Sequence, residues 1–476
     1  MVELVALRAA RVVAHASLMV DWASPARRTD TRRPNSAVLY RWYVATIKDP
    51  KRSPLQLADE TAILKQSGIS RSARCEVYQT LTTGPSVYLE FAGTKKDDFL
   101  DDGSVDVYLR RSGVMFKGFV KGIRVTLDFK ERHRSLKQRV LSSSEPISGR
   151  PSRTLIEVGF ALANGADFFL AQSLNGKLLG GLTLEAEDWN VIIVPVTPEH
   201  RSLADRIEAD DVRLTHSGTL RRVSGAHFRS EEALDLISNL GLFLSFAAGW
   251  WVGIGFIRGR NTKGKRGWQV WGFTRTQHPS TGHSWHHWKM EGMLARLFPG
   301  FLHLAQRPSW KEPLASILYW YNRSNTLAAG VDGSIILTQA AFELLAWQVL
   351  VQDSRLLSED NFHSLNAEGQ IRVLLGHLGI PLSIPAGLAE LTKLGKEFNW
   401  SCGPQALVAI RNHLVHPAKK RSKSTRPHVY SYHDAWLLGQ YLLELCILRL
   451  CEYNGTHIDR TNIGVIPEPT PVPWKQ

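Results

Sequence analysis

The apolar pattern changes period once along this chain of 476 residues, and that change limits the folds open to it. From about residue 36 to 225 the alternation is mostly of period two, as half-buried strands require. The segments 87–91, 105–109, 125–129, 154–160 and 189–194 are strand-like. Gly84-Pro85, Asp102-Gly103, Asn164-Gly165 and Asn175-Gly176 punctuate them with turn chemistry. From about residue 333 onward the spacing is helical, with helices expected over 334–351, 358–378, 386–398, 404–416 and 432–453. Pro381, Pro385, Gly403-Pro404 and Pro417 fall between those helices, where breaks are tolerated.

The intervening stretch is mixed. A helix opens at Ser230-Glu231-Glu232, strand-like runs follow at 250–257 and 268–273, and another helix is expected over 311–321. The fold class expected is therefore α+β, with a β-rich region (an antiparallel sheet or sandwich) followed by an all-α bundle. The expected divisions are a mobile basic extension at 1–35, a β-rich domain at 36–225 and a mixed Trp-rich region at 226–332. A helical domain at 333–460 and a Pro-rich tail at 461–476 complete the chain.

Charge narrows the partners. The formal net charge is +14 and the pI about 9.6, a surplus that suits a polyanion, nucleic acid before a membrane surface. A generally basic composition is the competing explanation. There is no run of 18 or more apolar residues, so no membrane partner is expected. The apolar segment 2–20 is broken by Glu3, Arg8 and Arg11, which argues against a secretory signal. Cys75, Cys402, Cys446 and Cys451 form neither a CxxC pair nor a disulfide framework, in keeping with a reducing cytoplasm. No metal site and no cofactor are expected.

The segment with the most chemistry is Arg411-Asn412-His413-Leu414-Val415-His416, stopped by Pro417. An Arg followed by His with four to six residues between them also occurs at Arg8/His15, Arg222/His227, Arg372/His377 and Arg426/His433. Arg411 stands apart through its polar neighbour Asn412, a helical setting, a helix stop and a basic run behind it. Positions five apart differ by about 140° around a helix, a gap a long arginine closes toward an imidazole. Pro417 places His416 at the last turn. Two readings of the local chemistry remain open: a proton-transfer site, or an arginine capping carbonyls beside a packed histidine.

Arg-Asn-x-x-x-His near the end of a C-terminal helical bundle resembles the HEPN superfamily motif. The resemblance covers roughly residues 333–460, including a first long helix with Glu343 and a closing helix with Trp436, Leu442, Glu444 and Leu448. A β-rich half fused to such a bundle looks like the ApeA-type anti-phage HEPN proteins. The resemblance implies a HEPN-like bundle and a metal-independent endoribonuclease acting on RNA, tRNA foremost, as a toxin-like or anti-phage effector. By it His416 is the general acid/base, Arg411 stabilises charge at phosphorus and Asn412 orients the phosphate or His416. It further implies a homodimer through the helical domain and a phage-derived trigger sensed by the N-terminal region. Lys419, Lys420, Arg421, Lys423 and Arg426 would bind the RNA backbone by charge. Two other readings are carried beside it. One is a non-catalytic HEPN RNA-binding or sensor protein; the other is a carbohydrate- or metabolite-binding protein using the Trp-rich middle.

Two further motifs carry less. Residues 259–266 nearly match a phosphate-binding loop, but Arg266 replaces the hydroxyl residue and a strand-like run follows, so a basic hairpin tip is expected. His278, His283, His286 and His287, with Trp285 and Trp288, match no zinc spacing. Core packing is their default, and base stacking on Trp285 or Trp288 is the alternative.

Overall fold

Strand alternation builds a closed barrel first. The computed structural model describes residues 55–80, 87–93, 100–128, 133–142, 146–168, 172–174, 177–179, 181–196, 212–264, 266–278, 284–287, 290, 292–416, 429–462 and 468–475. Strands β1 (Leu55–Gln66), β2 (Ile69–Gln79), β3 (Val87–Gly93), β4 (Gly103–Leu109), β5 (Met115–Asp128) and β6 (His133–Ser142) close in the order β1-β2-β3-β6-β5-β4. Ser67 and Gly68 both take positive φ (49° and 80°), the conformation a two-residue hairpin needs to match strand twist. Alternate residues such as Ala62, Leu64, Val77, Leu89, Val105, Val107 and Val140 fill the barrel. Of the expected strands here, 87–91 and 105–109 lie within β3 and β4. The segment 125–129 falls in β5 as far as Asp128.

A seven-stranded antiparallel sheet follows. It uses β7 (Ile147–Ser148), β8 (Leu155–Ala163), β11 (Leu182–Ala186), β12 (Trp189–Pro195), β13 (Leu214–Arg222), β14 (Gly253–Asn261) and β15 (Arg266–Phe273), in the order β11-β12-β13-β8-β14-β15-β7. A small hairpin of β9 (Gln172–Leu174) and β10 (Lys177–Leu179) stands between β8 and β11 in the chain. Because β14 pairs directly with β8, the boundary expected at residue 225 falls inside one sheet. The hairpin tip read from 259–266 lies between β14 and β15. Ile147 and Trp271 reach into the barrel core, and Gln79 of β2 accepts the Gly272 N–H at 3.3 Å, so barrel and sheet share packing.

Helix α1 (Ser230–Ala248) packs Leu236, Ile237, Leu240, Phe243 and Leu244 into the core. Gly249, at φ 80°, ends it in the left-handed conformation that suits glycine. In the middle region Trp320 is partly buried against the core, and Trp250, Trp251, Trp268, Trp271, Trp285 and Trp310 are buried. Several indole N–H groups are satisfied inside, as for Trp250 on the Asn164 carbonyl at 2.8 Å and Trp285 on the Phe246 carbonyl at 3.1 Å. Burial on this scale leaves those rings no surface for stacking a ligand. Trp288 and His283 lie outside the described residues, as do 1–54, the Gly84-Pro85 and Asn175-Gly176 turns, and part of the Pro-rich tail.

Helices α2 (Met293–Gln306), α3 (Lys311–Asn325), α4 (Gly330–Trp347), α5 (Glu359–Ser364), α6 (Ala367–Leu378), α7 (Ala389–Glu397), α8 (Gly403–Val415) and α9 (Val429–Leu450) form the C-terminal region. The α+β reading and the order of its parts hold at this level. Helix α4 touches α3, α6, α8 and α9, and a π-helical turn, Gln348–Asp353, prolongs it. That central position accounts for its apolar composition. The stretch Gly330–Asp353 is long and apolar enough to cross a bilayer, yet 67% of its apolar window is buried within the protein. The single helix expected over 358–378 is two, because the Asn366 side chain caps α6 by accepting the Gly369 N–H at 2.8 Å. After α9, β16 (Thr456–Ile458) pairs with β17 (Pro469–Pro471).

A buried ion pair ties these layers together. The Arg460 and Glu444 side chains are 1% and 0% exposed. Arg460 Nε donates to Glu444 Oε2 at 3.0 Å and Arg460 Nη2 to Oε1 at 2.5 Å. The Tyr321 hydroxyl (2.6 Å) and the Trp285 backbone N–H (3.2 Å) also donate to Oε1. Arg460 Nη1 donates to Asn325 Oδ1, and Asn325 Nδ2 to the carbonyl of Gly249, the residue that ends α1. Burial pushes the Glu444 carboxyl upward against the pull of these donors. Burial also works against the Arg460 charge, but the carboxylate opposite more than offsets it and holds the guanidinium above its ordinary value. With guanidinium nitrogens on both oxygens, the geometry fits the ionised pair.

Two histidines give the fold an acid limit. Burial pushes His216 down to about 4 and His286 to about 3, the latter helped by His287. Both are fully neutral when folded at pH 7 and would take a proton on unfolding below their ordinary value of 6.5. Stability is therefore complete above that value and is lost as pH falls from about 6.5 toward 4, at up to roughly 1.4 kcal/mol per pH unit per histidine. Urea midpoints should drop between pH 7 and 5, less steeply in His286→Asn. A flat profile would contradict the assignment.

Candidate functional site

The motif sits on α8, and local chemistry sets both ends of that helix. Cys402 precedes it in extended conformation and Pro404 occupies the first turn, where a missing N–H costs nothing. Ala406, Leu407 and Ile410 are buried against the bundle, which leaves Arg411, Asn412 and His413 half-exposed and His416 exposed. His416 takes φ −113° and ψ 101°, the extended geometry a following proline favours, while its N–H still donates to the Asn412 carbonyl at 2.9 Å. The histidine expected inside the last turn thus stands one residue past it.

Asn412 does something the sequence left open. Its Oδ1 accepts Arg411 Nη1 at 3.1 Å, so the asparagine holds the guanidinium. Arg411 Nε is buried without a hydrogen-bond partner. Among the described residues no hydrogen bond joins the Arg411 guanidinium to the His416 ring. Arg411 and Asn412 are brought together, and His416 shares the helix end with them through the backbone. Lys419, Lys420, Arg421, Lys423 and Arg426 lie outside the described residues. Glu343 is on the exposed face of α4.

The arrangement supplies a fixed positive charge, an oriented amide and an exposed imidazole at one helix end. Those groups suit an anion and a proton-transfer step. The thiols are unsuited to nucleophilic work. Burial pushes Cys75 up to about 12 and raises Cys446 and Cys451 well beyond their ordinary range. All four cysteines are buried and unpaired.

Sequence reasoning also missed a cavity of about 420 Å³ at the other end of α8, walled by the connection from α7. Its signal was one aromatic pair, Phe398 and Trp400, in a chain with 15 tryptophans, where an exposed ring cannot be told from a core one. The buried partner Glu444–Arg460 was equally hidden, since a lone arginine after a helix carries no pattern.

Two parts of the chain are similar to described protein domains. Residues 307–469, which include α8 and the Glu444–Arg460 pair, match the family model of the YopA C-terminal domain, and residues 150–282 match that of the YopA central domain. The chain is 25% identical over 413 residues to the SPbeta prophage-derived uncharacterized protein YopA of Bacillus subtilis (strain 168). That match covers 80% of this chain and 92% of the relative. No solved structure matches the chain.

Proposed function

We propose that the chain is a metal-independent endoribonuclease of HEPN type that cuts RNA, tRNA foremost, as a cytoplasmic toxin-like effector in conflict with phage. The observation that carries this reading is the α8 terminus, where Asn412 fixes Arg411 and His416 stands exposed one turn on. His416 takes the proton of a ribose 2′-OH as its oxygen attacks the adjacent phosphorus. Arg411 stabilises the added negative charge on the phosphoryl oxygens. The 5′-oxygen leaves and receives the proton that His416 returns, giving a 2′,3′-cyclic phosphate and a 5′-hydroxyl. Asn412 is a positioning residue for Arg411. The helical region would associate with a second copy, and the β-rich region would sense a trigger. The prophage origin of the Bacillus subtilis relative is consistent with a role in phage–host conflict.

Total RNA incubated with the purified protein in EDTA should acquire cyclic-phosphate ends. Expression should be toxic and Arg411→Ala should relieve the toxicity. Toxicity that persists unchanged in Arg411→Ala would remove the site from the account.

A further inference from the structure

We propose that the cavity at the start of α8 is a subsite for an unpaired base of single-stranded RNA, stacked on Trp400 with its backbone drawn by Lys396. The inference rests on the ribonuclease reading and specifies its substrate as single-stranded.

The subsite is assembled by the end of α7. Phe398 caps that helix, and Asn399 follows at φ 52°, a left-handed position asparagine tolerates. Trp400 N–H then donates back to the Gly395 carbonyl at 2.8 Å, the bond that closes a Schellman turn. The turn lays Phe398 and Trp400 against each other, ring centres 5.6 Å apart and planes 22° from parallel. Phe398 remains 37% exposed and Trp400 half-exposed, unlike the buried tryptophans of the middle region. Trp400, Asn399, Lys396, Thr392 and Ser401 line the cavity of about 420 Å³, enough room for one nucleobase.

Three features make the cavity a site for a polar aromatic rather than for an aliphatic ligand. A stacked pair of rings extends naturally by one more flat ring. Lys396 is exposed and, with Lys393, joins no ion pair among the described residues, so its charge is available to a phosphate. Thr392 Oγ1 is buried without a hydrogen-bond partner at the cavity wall, a group that gains from a base edge. Exposed Glu397 lies on the same helix and sets a limit on the charge contribution, which puts the weight on stacking. Helix α8 then spaces the subsite from the Arg411–His416 end by about 20 Å at 1.5 Å per residue, a few nucleotides of extended strand. A duplex cannot present a base to such a cavity without unpairing it.

The test uses the full chain carrying His416→Ala and a fluorescein-labelled single-stranded RNA of about 12 nucleotides, read by anisotropy. Trp400→Ala should weaken binding about tenfold or more, Trp400→Phe should stay within about threefold of the parent, and the annealed duplex should bind more weakly than the single strand. If Trp400→Ala fails to fold by circular dichroism, Trp400→Leu, which keeps apolar bulk but removes the flat ring, carries the same expectation. Folded Trp400→Ala or Trp400→Leu protein that binds within twofold of the parent overturns the proposal, as does equal binding of duplex. Cleavage by wild-type protein with no effect of these replacements on binding would sink the subsite and leave the nuclease reading standing. Trp400-dependent binding without cleavage would do the reverse.

Discussion

Arg460→Met should be the most destabilising conservative replacement in the helical region, lowering stability by about 3–5 kcal/mol. The loss comes from what stays behind. Glu444, fully buried, would keep only the Tyr321 hydroxyl and the Trp285 N–H, and Asn325 would lose the donor on its Oδ1. A carboxylate in that position becomes protonated or drags water inward, and either route disturbs the junction of α3, α9 and the segment before α2. The double replacement Glu444→Gln with Arg460→Met should recover part of the loss, because no buried charge is left without its partner. Urea or thermal unfolding of the three proteins measures this directly. A shift under about 1 kcal/mol for Arg460→Met would mean that the pair is not the tie between layers that its geometry indicates.

His416→Ala should lower RNA cleavage by about 10²–10⁴-fold while leaving stability within about 0.5 kcal/mol, since the side chain is exposed. Arg411→Ala should cost about 10²–10³-fold, as expected when a group that stabilises transition-state charge is removed. Arg411→Lys should not restore the rate. Asn412 holds one guanidinium nitrogen of a planar fork, an arrangement an ammonium does not reproduce. Asn412→Ala should have the mildest effect of the three, because it releases Arg411 without removing its charge. The separation of activity from stability is the informative part. A capping arginine and a packed histidine would move stability and leave RNA untouched.

How legible this was in the sequence depended on how local the cause was. Helix α8 was readable almost to the residue, 404–416 expected against Gly403–Val415 found, because prolines mark both ends. The capping Asn366 was equally local, and it splits a segment whose apolar spacing alone reads as one helix. Barrel closure was not readable. The pairing that closes it, such as Leu64 with Val107, joins strands whose alternation is the same in a barrel and in an open sheet. The sheet crossing residue 225 was hidden for the same reason, since β8 and β14 meet across an intervening helix. At the site, sequence supplied Arg411, Asn412 and His416, while the role of Asn412 as the holder of Arg411 needed the geometry. Tryptophan density left core and platform both open, with core packing the default, because composition does not report burial; the structure buries Trp250, Trp251, Trp268, Trp271, Trp285 and Trp310.

The most direct measurement is single-turnover cleavage of an end-labelled RNA in EDTA by wild-type protein and by His416→Ala, with the product ends identified. Wild-type protein should give fragments ending in a 2′,3′-cyclic phosphate, and His416→Ala none above background. Intact RNA with the folded wild-type protein, or cleavage that survives His416→Ala, would contradict the ribonuclease reading.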